Sequence, residues 1–108
     1  MRQHSNQALL FEMLRSFVTL ADTLNVSRAV QVLGVTRQTL RRHIEILEEC
    51  RGQELFQIED RQYRLTDDGV QAVQEARNLL ERGRAWLDSE AGHREGLFHF
   101  SLARDDGY

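Results

Sequence analysis

Proline is absent from the 108-residue chain, so the ends of its elements have to be read from glycines and capping residues. Cysteine occurs once, at Cys50, which excludes an internal disulfide and fits a reducing compartment. No apolar run approaches the roughly 18 residues needed to span a bilayer. Glu12 and Arg15 interrupt the one N-terminal stretch that resembles a secretory core. A cytoplasmic protein is therefore expected. His4, His93 and His99 have no metal-ligand spacing among themselves or with Cys50. There is no phosphate-binding glycine loop, no HExxH and no Gly-x-Ser-x-Gly. Neither a metal, nor a cofactor, nor an enzyme is expected, and the length suits one small core with at most an appended element.

What is present is ordinary in amount and uneven in placement. Hydrophobic residues make up 41% and charged residues 29%, both near globular averages. The net charge of −3 argues against a uniformly basic surface. Yet Arg28, Arg37, Arg41 and Arg42 share a stretch with no carboxylate, whereas Glu45 to Asp60 holds six carboxylates against Arg51 alone. Arg61 and Arg64 follow as a second basic point.

Apolar residues at Leu10, Leu14, Phe17, Val18, Ala21 and Leu24 recur at three- and four-residue steps and predict a helix from about Ala8 to Leu24. Asn25-Val26-Ser27 supplies a cap for a short helix that ends at Gly34. Thr36 caps a third helix with the stripe Leu40, Ile44 and Leu47, closed by Gly52. Leu55-Phe56-Gln57-Ile58 and Tyr63-Arg64-Leu65 then read as a two-stranded ribbon with Glu59-Asp60-Arg61-Gln62 at its tip. Thr66-Asp67-Asp68 opens a long helix, roughly Asp67 to Ser89, too long for its neighbours to cover. Gly69, Gly83, Gly92 and Gly96 are read as marking further breaks. The alternation Leu97-Phe98-His99-Phe100-Ser101-Leu102 reads as a strand opening a further domain. The fold class is thus mainly α, a winged helix-turn-helix over residues 8–65, a linker or dimerisation helix over 66–89, and a tail over 90–108.

Helix two, the Gly34-Val35 turn and helix three form a helix-turn-helix followed by a wing. Arg37, Gln38 and Arg41 share the outward face of helix three. Arginine suits guanine and glutamine suits adenine in a major groove. Ser27, Arg28, Thr36, Thr39 and Arg42 surround them, and the Thr36 hydroxyl with the helix N-terminus suits a phosphate oxygen. Arg61 and Arg64 would approach DNA from the wing.

From Leu14 to about Leu80 the chain resembles the N-terminal DNA-binding region of LysR-type transcriptional regulators. The resemblance rests on Phe17, Ser27-Arg28-Ala29, Leu33-Gly34-Val35-Thr36, Ile44, Leu47-Glu48, Gly52, Leu55-Phe56, and Leu65-Thr66 followed by Gly69. It implies binding to promoter DNA as a dimer or tetramer, under control of a small-molecule effector bound by a C-terminal domain outside this chain. It also implies that Arg37, Gln38, Arg41 and Arg42 face DNA and that Arg61 reaches the minor groove or backbone. The sequence departs from the family at Gln38, where a proline or small residue is usual, at Arg41, where a small residue, commonly serine, is usual, at Val30, where alanine is usual, and at Ile58, where arginine is usual. Arg41 alters base preference, and Ile58 removes one phosphate or intramolecular contact.

Two seams are expected on the long helix: Val70, Val73, Leu80 and Leu87, and Ala72, Ala76, Leu79 and Trp86. One should pack on helix one while the remainder meets a second copy, with Val73, Ala76, Leu79, Leu80 and Trp86 as dimerisation residues. Leu10, Leu14, Phe17, Leu40, Ile44, Leu47 and Phe56 are expected in the core, His43 exposed or capping, and Cys50 buried or half-buried. The alternative function is a winged-helix dimerisation or protein-interaction module that does not bind DNA, suggested by the acidic total charge and Ile58.

Overall fold

A computed structural model describes residues 9–97, with side chains through residue 89. The described elements are α1 (Leu10–Thr23), α2 (Val26–Leu33), α3 (Arg37–Arg51), β1 (Phe56–Glu59), β2 (Gln62–Leu65) and α4 (Asp67–Leu97). The two strands pair antiparallel, with Phe56 opposite Leu65 and Glu59 opposite Gln62. This is the winged helix-turn-helix followed by a long helix that the sequence predicts.

Each helix end has a local cause. Asn25 caps α2 by accepting from the Arg28 amide at 2.9 Å, and Thr36 caps α3 by accepting from the Thr39 amide at 3.0 Å. Gly34 and Gly52 close α2 and α3 in the left-handed region, at φ 71° and 68°. Leu24 closes α1 there without the freedom of a glycine, at φ 52°.

The core gathers Met13, Leu14, Phe17 and Leu20 of α1, Ala29 of α2, and Leu40, Ile44, Ile46 and Leu47 of α3. Leu55 and Phe56 join it at the wing base, and Ala72, Val73 and Ala76 from α4. Phe56 meets Phe17 edge-on at 5.6 Å and Tyr63 at 5.8 Å, so the wing is fastened to α1 by a chain of perpendicular rings.

Three expectations about the core are corrected. Leu10 is 40% exposed, because the first turn of α1 overhangs the core, and Met13, Ser16 and Leu20 take the inward positions instead. Cys50 is exposed, since the last turn of α3 runs past the body. His43 is only 9% exposed. Its Nδ1 lies 2.8 Å from Ser16 Oγ, a buried hydrogen bond that joins α3 to α1.

Burial pushes the His43 pKa below its ordinary value of 6.5, partly opposed by the Glu12 carboxylate. The folded state therefore holds the imidazole neutral, while the unfolded chain takes up a proton as pH falls below about 6.5. Stability from this group is complete above that pH and declines below it. Denaturation midpoints measured between pH 7 and pH 5 are expected to fall more steeply for the unmodified chain than for His43→Gln. Equal slopes would show that His43 does not titrate differentially.

The fourth helix also differs from expectation. It is continuous through Gly69, Gly83, Gly92 and Gly96 and reaches Leu97, eight residues beyond the expected end at Ser89. A single glycine costs a helix interior roughly 1 kcal/mol, which neighbouring turns absorb. The expected turn between Gly92 and Gly96 is accordingly absent, and the rest of the expected strand, Phe98 to Leu102, lies outside the described residues.

At Gly69 the absence of a side chain is obligatory. A Cβ there would lie 2.1 Å from the Leu55 carbonyl oxygen. Thr66 completes this junction: its hydroxyl accepts from the Gly69 amide at 2.9 Å and donates to the Glu54 carbonyl at 2.6 Å. Glu48 braces the other side, accepting from the Leu55 and Phe56 amides at 2.8 and 3.3 Å. Arg77 pairs with Asp22 at 2.6 Å and Arg51 with Glu75 at 3.3 Å, tying α4 to α1 and α3.

Candidate nucleic-acid interface

The buried side of α3 (Leu40, His43, Ile44, Ile46, Leu47) leaves Gln38, Arg41, Arg42 and Glu45 on the opposite, exposed arc. Arg37 stands at the edge of that arc in the first turn, and its guanidinium donates to Ser27 Oγ at 2.5 Å. Two expected site residues are thereby joined across the helix-turn-helix. The bond uses one of five N–H donors, leaving the others to an incoming acceptor.

Thr36 behaves differently from expectation. Its hydroxyl accepts from the Thr39 amide and donates to Thr39 Oγ1 at 3.0 Å, so its proton is already committed. Thr39 is the hydroxyl left with a proton to offer, and of the first-turn amides of α3 those of Arg37 and Gln38 remain available to an anion.

The wing separates its two arginines. Arg64, on the outer face beside Gln57, pairs with Glu59 at 2.7 Å across the ribbon. Expected to approach DNA from the wing, Arg64 carries this exposed pair, because the two strands hold the opposite charges within reach. Asp60 and Arg61 form the two-residue turn, both left-handed at φ 51° and 66°. Such turns favour Asn-Gly, and an arginine held there costs of order 1 kcal/mol. Arg61→Gly is expected to raise stability by up to about 1 kcal/mol in urea titrations while weakening DNA binding. A glycine variant that bound DNA as well as its parent would reduce the wing tip to a structural turn.

Among the described residues, Arg51, Arg64 and Arg77 are in ion pairs, whereas Arg15, Arg28, Arg37, Arg41, Arg42, Arg61, Arg82 and Arg84 are exposed and make none. Of these, Arg28, Arg37, Arg41, Arg42 and Arg61 lie on α2, α3 and the wing tip.

The dimerisation residues fall into two groups. Val73 and Ala76 are buried at 3% and 2% exposure, and Leu80 packs half-buried on the same core. They are therefore corrected from intermolecular to intramolecular residues: the small Ala72 and Ala76 let α4 approach α1, not a partner. Leu79, Trp86 and Leu87 remain exposed, as does Phe11, whose ring lies over Gly83. No helix among the described residues is long and apolar enough to cross a membrane, and no group of three or more potential metal ligands occurs among them.

A three-helix body with a two-stranded wing, a basic helix-turn-helix and a long C-terminal helix defines a winged helix-turn-helix DNA-binding domain. Residues 11–70 match the model of the bacterial regulatory helix-turn-helix protein, lysR family, and the chain belongs to that family. It is 41% identical over 71 residues to the HTH-type transcriptional regulator TtuA of Agrobacterium vitis, covering 66% of this chain and 23% of the relative. It is 37% identical over 86 residues to the HTH-type transcriptional activator AllS of Klebsiella pneumoniae, covering 80% and 30%. The chain thus spans about a quarter to a third of the length of these relatives, which are named as regulators and activators rather than enzymes. Among solved structures, the DNA-binding domain of BenM in complex with benA site 1 DNA superposes with a TM-score of 0.75 at 26% identity, covering 80% of this chain and 97% of that one. The CbnR DNA-binding domain bound to DNA gives 0.69 at 30% identity, covering 78% and 98%. The chain is a DNA-binding regulator domain of the LysR family.

Proposed function

We propose that this domain reads DNA sequence with the N-terminal half of α3 in a major groove, Arg37, Gln38 and Arg41 toward base edges and Ser27, Arg28, Thr39 and Arg42 toward phosphates. Arg61 at the wing tip meets the adjacent minor groove or backbone. The observation that carries this reading is the concentration of exposed arginines outside any ion pair on one part of the surface: Arg28, Arg37, Arg41 and Arg42 lie together on the helix-turn-helix, and Arg61 stands at the wing tip. An unpaired guanidinium binds phosphate or guanine without first breaking an internal bond. The DNA partner requires a cytoplasmic, nucleoid-facing location, and control by a small-molecule effector belongs to residues outside this domain.

The test is duplex binding by fluorescence anisotropy across salt concentrations. Several phosphate contacts predict a steep fall of log affinity with log salt. A chain that shows no salt-dependent binding to duplex, and no binding at low salt, would instead be the protein-interaction module.

We further propose a homodimer through the distal part of α4. The apolar stripe of this helix is covered by α1 at Ala72, Val73 and Ala76 and runs on uncovered through Leu79, Trp86 and Leu87. Beside it, Phe11 adds further exposed apolar area. A second copy meeting the same face gives a two-fold contact and sets two α3 helices at half-sites one helical turn apart or a small multiple of it. Leu79→Glu is expected to give monomers in sedimentation at micromolar concentration with the domain still folded. A monomeric parent, or a dimer insensitive to charge at positions 79 and 86, would remove this interface.

A further inference from the structure

Ile58 has no role in the fold that accounts for its position. It pairs with Tyr63 on the ribbon face that also carries Phe56 and Leu65. Those neighbours are buried or half-buried, yet Ile58 is 64% exposed. With Phe56, Tyr63, Ile44 and Arg41, and with the carboxylates of Glu45 and Glu48 on the α3 side, it lines a cleft of about 200 Å³ between α3 and the wing.

We infer that Ile58 is an apolar contact for the deoxyribose of the DNA strand that separates the two grooves; this rests on the docking proposed above. If Arg41 enters the major groove and Arg61 touches the adjacent minor groove, the strand between those grooves must pass over the surface between the two arginines. Ile58 occupies that surface. It stands beside Arg41 across the cleft and one paired row below the row that precedes the turn, roughly 7 Å from the tip at the rise of a strand. A hydrocarbon side chain offers no partner to a phosphate oxygen but packs on the carbon face of a sugar. Arg41 and Arg61 supply charge on either side, and Ile58 supplies contact area without charge. Its effect is therefore expected to be independent of base sequence and of salt.

The experiment compares the full chain with Ile58→Ala, Ile58→Arg and Gln57→Arg, the last being one residue away on the opposite face of the ribbon. The probes are a duplex obtained by selection from a random library and a scrambled duplex of the same composition. Ile58→Ala is expected to weaken both duplexes alike, by about fivefold, with an unchanged salt slope. Ile58→Arg is expected to bind both more tightly and to steepen the slope by about one unit, as one added phosphate contact requires. Gln57→Arg is expected to leave the slope as it was. An Ile58→Ala chain that binds like its parent overturns the contact. So does a loss confined to the selected duplex, which would mean a base contact, or an equal gain in slope from Gln57→Arg, which would mean that charge acts at a distance. A parent without salt-dependent binding overturns the docking itself, and is recognised before any variant is compared.

Discussion

Gly69→Ala is expected to destabilise the domain by about 3 kcal/mol or more and to lower its melting temperature by roughly 15 °C. A methyl carbon at residue 69 would stand 2.1 Å from the Leu55 carbonyl oxygen. Neither partner is the end of a flexible side chain. The carbonyl accepts from the Thr66 amide at 3.0 Å, and the Gly69 amide is held by the Thr66 hydroxyl, so relief requires the wing base and the start of α4 to part. The control is Gly83→Ala in the same helix. There the nearest atoms belong to the Phe11 ring at 3.1 Å, which is exposed and free to swing aside, and alanine gains helix propensity worth up to about 1 kcal/mol. Opposite signs for the two substitutions in urea titrations would locate the constraint at the junction. Similar small effects would mean that the junction yields.

The second large effect belongs to the outward face of α3. Arg37→Ala with Arg41→Ala is expected to lower affinity for a selected duplex by about a hundredfold or more, from about 1–3 kcal/mol each, and to relax preference at particular base pairs. Arg42→Ala is expected to weaken selected and scrambled duplexes equally. The Ser27 hydroxyl holds Arg37 in place at 2.5 Å, so Ser27→Ala should repeat part of the Arg37 loss while leaving Arg41 untouched. Normal binding by the double variant, measured by anisotropy on both duplexes, would remove α3 from recognition.

The sequence made the elements legible because each carried its own local signal. Asn25 and Thr36 cap, Gly34 and Gly52 close, and the change from helical to alternating period announced the wing. What it concealed was set by tertiary neighbours. Ser16 and His43 are polar residues 27 positions apart, and only the packing of α1 on α3 makes them a buried pair. Glu48 stands in the acidic run from Glu45 to Asp60, yet it holds the Leu55 and Phe56 amides at the base of the wing. The long helix showed that it had apolar residues to spare but not which of them its own domain would take, because Ala72, Val73 and Ala76 follow the same periodicity as Leu79 and Trp86. The candidate site was readable as a set of residue types; which arginines were already paired was not.

The junction at Gly69 also gives the long helix a mechanical role. At 31 residues, α4 extends about 46 Å from its root. The close approach of Gly69 to Leu55, with the Arg77–Asp22 and Arg51–Glu75 pairs, makes that root a clamped end rather than a pivot. A clamped rod transmits torque. A tilt of about 5° applied at its far end, a displacement of about 4 Å at this length, turns the wing and α3 as one body instead of bending at a linker. The angle between two such rods, more than any motion within either domain, would then decide which half-site spacings a pair of these chains is able to grip.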